Sequence, residues 1–94
     1  MKEFPTITHM LRTAYNVEDG LSDEVSVRLY QRAAASPDTF EKLKNELQSA
    51  FSRQDISWRN ILLNEDYEVF DAGTEQEARE YAYQILWTPI FGRQ

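Results

Sequence analysis

A chain of 94 residues makes one domain with one core, roughly 12 Å in radius of gyration, and its 41% apolar, 13% aromatic and 28% charged composition is that of a folded globule. With no cysteine and no wholly apolar run longer than three residues (Ala33 to Ala35, Ile61 to Leu63), disulfides, thiolate metal sites and thiol nucleophiles are excluded. A membrane span or signal peptide is not expected, which predicts a cytoplasmic protein. Ten basic against sixteen acidic residues leave a net charge of −6, unsuited to direct nucleic-acid binding, which needs a basic stripe.

Taken in chain order, the pattern is helical almost throughout. Pro5 can open the first helix, and Ile7, Met10, Leu11 and Ala14 then share one face of a helix ending near Tyr15. Asn16 to Gly20 supplies a break. Ser22 is suited to cap the second helix, with Asp23 and Glu24 in the first turn; Val25, Leu29 and Ala33, with Tyr30 and Ala34, give its apolar residues. Ser36-Pro37-Asp38 starts a third helix, whose inner stripe is Phe40, Leu43, Leu47, Ala50 and Phe51. Asp55 can cap a short fourth helix presenting Trp58, Ile61 and Leu62.

Residues 66–71 lean toward extended structure, yet one short strand without a partner is no sheet. A connector is expected there. Thr74-Glu75-Gln76-Glu77 is a capping box opening a last helix with Ala78, Tyr81, Ala82, Ile85 and Leu86 inward, closed by Pro89 and Gly92. The predicted architecture is an all-α single domain over residues 1–94, a bundle of about five short amphipathic helices.

Charge is not evenly spread. Residues 64–80 hold Glu65, Asp66, Glu68, Asp71, Glu75, Glu77 and Glu80 against Arg79 alone, so this stretch by itself carries −6 and the remainder is balanced. Such a run is either a solvated face or a docking surface for a basic partner. Catalytic constellations are missing: His9 is the lone histidine, placed one position off the first apolar stripe, where a boundary role is expected. Gly20, Gly73 and Gly92 stand singly, so there is no phosphate loop, and the acids of 65–71 lack the order of a calcium-binding loop. No cofactor or metal is expected, and the chain does not read as an enzyme. On the last helix Tyr83 and Trp87 lie off the inner stripe. They are covered by the tail Thr88-Pro89-Ile90-Phe91 or another helix, or they form an interface.

The C-terminal half carries a resemblance. Ser57-Trp58-Arg59-Asn60-Ile61-Leu62-Leu63-Asn64, then Tyr67-Glu68-Val69, Glu77-Ala78-Arg79-Glu80-Tyr81-Ala82, Ile85-Leu86-Trp87 and Pro89-Ile90-Phe91-Gly92 follow one another in an order that resembles small immunity proteins of bacterial contact-dependent growth inhibition systems. The resemblance implies a non-enzymatic protein that binds and blocks a cognate toxin domain, the C-terminal domain of a CdiA-type effector. Such toxins are often nucleases and therefore basic, which would give the acidic stretch a partner. On that implication Glu65, Asp66, Tyr67, Glu68, Asp71, Glu75, Tyr83 and Trp87 are the candidate toxin-binding residues. Two alternatives stay open: a small regulatory or adaptor protein binding a basic segment, and a small hydrolase built on carboxylates.

Overall fold

The first helix, α1 (Pro5–Ala14), begins as its proline suggests, with Pro5 in the first turn where its missing N–H costs nothing. The computed structural model describes residues 4–16, 20 and 22–92. Ile7, Met10, Leu11 and Ala14 point inward, as their spacing predicts. Phe4, at the N-cap, has no side-chain oxygen to offer. The first-turn amides instead find the Glu46 carboxylate of α3 (Pro37–Ser52), which accepts from Thr6 N–H at 2.9 and 3.1 Å and from Ile7 N–H at 2.9 Å. One helix is thus capped by a side chain forty residues away, which also ties α1 to α3. Of the predicted break Asn16–Gly20, residues 17–19 lie outside the described residues.

The second helix, α2 (Asp23–Ala33), starts on Ser22, whose hydroxyl accepts from Val25 N–H at 3.3 Å. Its face differs from the pattern. Of the predicted apolar residues Tyr30 and Ala34 are inside, joined by Ser26, whereas Ala33 is exposed and Val25 and Leu29 are 38% and 39% exposed. The inner stripe is therefore rotated by one residue, about 100°. The cause is Tyr30: its ring fills the core with no exposed surface, and its hydroxyl reaches the Leu86 carbonyl at 2.6 Å. On α3, Leu43, Leu47 and Ala50 are fully buried and Phe40 and Phe51 half-buried, as predicted.

The fourth helix, α4 (Trp58–Leu62), buries Trp58, Ile61 and Leu62 but is capped by Ser57, whose hydroxyl accepts from Asn60 N–H at 3.1 Å. Asp55 is otherwise engaged, held by the Arg53 guanidinium through two 2.8 Å bonds that keep its carboxyl below the usual range. The predicted cap is present, with its return bond shifted by one residue: Thr74 Oγ1 accepts from Glu77 N–H at 3.0 Å, while the Glu77 carboxylate accepts from Gly73 N–H, just before the N-cap, also at 3.0 Å.

The last helix ends at Gly92 as predicted, but Pro89 does not stop it. It runs as α5 (Glu75–Ala82), a π-helical turn (Tyr83–Trp87) and α6 (Thr88–Phe91), so Pro89 lies inside it, in the first turn of α6. Gly92 ends it with φ +78°. Ala78, Ala82, Ile85 and Leu86 are buried as the sequence predicts, with Tyr81 half-buried. The all-α bundle surrounds one core drawn from every long helix, and its radius of gyration is 12.2 Å. No helix among the described residues is long and apolar enough to cross a membrane.

Candidate functional site

The acidic stretch is built on the segment joining α4 to α5. Asn64 organises its first turn. Its Oδ1 accepts from Asp66 N–H at 2.9 Å and Tyr67 N–H at 3.3 Å, its Nδ2 donates to the Asn60 carbonyl at 2.9 Å, and its N–H donates to the Tyr67 carbonyl at 3.1 Å. Glu65 and Asp66 sit exposed on this turn. The chain then doubles back on the end of α4: Val69 N–H donates to the Leu62 carbonyl at 2.7 Å, and Leu63 and Glu68 form an antiparallel bridge. It is a single bridge, so the segment is the extended connector expected.

Side chains alternate over residues 67–69, as on any extended backbone, and the alternation shifts by one at the half-buried Phe70. Tyr67, Val69 and Ala72 are buried at 4%, 6% and 2% exposure, and Glu68 and Asp71 face out. The apolar members anchor the segment and the acidic members are carried outward. Tyr67 is a correction in this respect: its ring belongs to the core and supports the acidic surface from beneath. Phe70 is half-buried, stacked on Tyr81 of α5 at 4.1 Å.

Two shallow clefts meet at Asn60. One, of about 290 Å³, is bounded by Ser57, Arg59, Asn60, Asp71 and Glu75. The other, of about 340 Å³, is bounded by Asn60, Asn64, Glu65 and Asp66. Together they form a polar groove along the outer face of α4. Glu75 is committed to structure within it. Its carboxylate accepts from the Ser57 hydroxyl at 2.7 Å and from Arg59 N–H at 3.3 Å, and these bonds hold its carboxyl below the usual carboxylate range. It therefore reinforces the cap of α4. Among the described residues, Glu65, Asp66, Glu68 and Asp71 make no ion pair; the cation–carboxylate pairs Arg28–Glu24, Lys42–Asp38 and Arg53–Asp55 lie elsewhere.

Tyr83 and Trp87 are brought to a different place, against α3. Their rings stack at 5.7 Å and 14°, and both meet Phe51 edge-on, at 5.5 and 6.1 Å. Phe91 of the tail packs on Trp87 at 4.8 Å, and Phe40 on Phe91 at 5.7 Å. Another helix and the tail thus share in covering the pair, and both rings remain half-buried. Phe51 is the hub, stacked also on Trp58 at 4.6 Å and covered by the Arg79 guanidinium, which donates to the Phe51 carbonyl at 2.9 Å. The indole N–H groups of Trp58 and Trp87 are covered and reach no acceptor among the described residues. No protein-family model, curated protein or solved structure matches this chain.

The candidate residues therefore fall in two places: an acidic groove on α4 and its connector, and an aromatic ridge on the C-terminal helix. Sequence reasoning misses Asn64 and Ser57, which shape the groove; the asparagine before two acids is itself a turn signal that could have marked the first. Among the described residues no group of three or more histidine, aspartate or glutamate side chains is arranged to hold a metal ion. His9 is exposed and lines a separate hollow with Lys42 and Glu46.

Proposed function

We propose that this chain is a non-enzymatic immunity protein that neutralises a basic toxin domain, a nuclease, by presenting fixed carboxylates to it. One observation carries the reading. Glu65, Asp66, Glu68 and Asp71 are exposed and make no ion pair among the described residues, on a backbone pinned by Asn64, Tyr67, Val69 and Ala72. Unpaired carboxylates held this way keep a negative potential at one place, which speeds encounter with a positive surface and favours one docked orientation. The positive cleft in which a nuclease holds phosphates is such a surface. The order of motifs across residues 57–92 supports the same reading, since it brings the acidic segment into the part of the chain that resembles immunity proteins.

The test is co-expression with a defined basic nuclease domain of a CdiA-type effector. Copurification as a complex, with loss of the nuclease activity, is expected. Binding without inhibition would favour the regulatory or adaptor reading, and no binding would remove the acidic groove as a docking surface for that partner.

A further inference from the structure

Between α5 and α6 the backbone widens for one turn, where Thr88 N–H donates to the Tyr83 carbonyl five residues back. Such a turn is uncommon inside an α-helix and persists where its surroundings hold it. Three residues do so here. Pro89 has no N–H, so the Ile85 carbonyl four residues before it has no α-helical donor. The Tyr15 hydroxyl, arriving from the end of α1, donates to that carbonyl at 2.7 Å. The next carbonyl along, Leu86, takes the Tyr30 hydroxyl of α2 at 2.6 Å. Both phenols are buried, with their rings 5.5 Å apart. Two successive helix carbonyls thus meet two phenols in a largely apolar interior.

We propose that Tyr15 and Tyr30 set the register of the C-terminal helix, holding open the π-helical turn that presents Tyr83 and Trp87 as a parallel pair. Tyr83 begins the wide turn and Trp87 ends it, so the turn decides how the two rings align. The phenols reach this pair through the backbone: they are positioning residues for the aromatic ridge. Its use in binding rests on the immunity reading above, whereas the register itself is tested without any partner.

The experiment compares the full-length chain with its Tyr15→Phe/Tyr30→Phe variant. In circular dichroism the aromatic couplet of the stacked pair, identified by its loss in Tyr83→Leu, should fall by about half or more, with the backbone helix signal kept. Hydrogen exchange at the Thr88 amide should quicken about tenfold, while Leu43 and Leu47 on α3 stay as slow as before. An unchanged couplet with unchanged exchange at Thr88 would overturn the proposal. So would equal quickening at Thr88, Leu43 and Leu47, which reports a general loosening. Should the double variant fail to fold, a cycle between Tyr15 and Pro89 decides. Pro89→Ala restores a backbone donor near Ile85, so Tyr15→Phe should lower the melting temperature less in that background than in the parent chain. Additive effects would overturn the claim.

Discussion

A phenol that donates to a carbonyl in the core has to keep its proton. Burial pushes the ionisation of Tyr15 and Tyr30 well above the ordinary tyrosine range, and each is raised further by neighbouring groups, Tyr81 and Asp23 for the first and Tyr15 for the second. The folded state thus holds these protons after the unfolded chain has begun to lose them. Their stabilisation is complete below the ordinary tyrosine value of about 10 and is lost as pH rises above it. Chemical denaturation as a function of pH should show stability falling above that value, and falling less steeply in Tyr15→Phe/Tyr30→Phe. The phenylalanine changes should each cost roughly 1–3 kcal/mol at neutral pH, since a buried carbonyl is left without a donor. Glu46 offers a second test at this scale. It caps α1 from α3, so Glu46→Ala should lose roughly 1–2 kcal/mol in urea denaturation. The sequence has no way to announce that role, because helix capping is legible only when the cap is local.

Local signals explain which elements could be read and which could not. Pro5 and Pro37 mark helix starts because the first turn does not need the N–H they lack, Ser22 and Thr74 through a side-chain bond made within one turn, and all four starts stand where the residues put them. Thr74→Ala should therefore cost roughly 1 kcal/mol, and Thr74→Asp should be tolerated; equal losses in thermal melts would contradict the cap. Leu43→Ala or Leu47→Ala should each cost on the order of 2–5 kcal/mol, since both side chains are fully buried on α3. The α2 face was legible only in part: Tyr30 and Ala34 are inside, but Val25 and Leu29 satisfy the same periodicity and are not. What decides between the two is the distant Leu86 carbonyl that Tyr30 must reach. Pro89 is the same lesson at the other end of the chain. A proline in a helical pattern reads as a stop, yet here a wider turn and a phenol from α1 accommodate it.

Over the whole molecule, charge and packing are arranged separately. The net charge of the chain equals that of residues 64–80, and within them the structure sorts the acids by role. Glu75 and Glu77 serve helix starts, and Glu80 accepts from Gln76. Glu65, Asp66, Glu68 and Asp71 are left facing solvent. The clustering and the role of Glu77 in the cap were legible in the sequence, whereas the role of Glu75 was not, since its partners Ser57 and Arg59 lie at the start of α4, sixteen and more residues away. Tyr67 shows the same limit: among exposed acids its ring reads as an interface residue, and only the alternation of an extended segment turns it inward.

On the proposed function, the connector carboxylates, which make no ion pair among the described residues, steer a basic toxin domain. The measurement is the association rate of that domain with Glu65→Lys/Glu68→Lys, followed across salt concentrations. A control of equal charge change is Glu24→Lys/Glu41→Lys, on α2 and α3; Glu46 is unsuitable because it caps α1. Both variants should keep nearly the parent stability, because exposed charges contribute little to it. Association should slow markedly for the connector variant, far more than for the control, and added salt should shrink the difference. Equal slowing in both variants, or none in either, would contradict the account and return the acidic stretch to a solvated face.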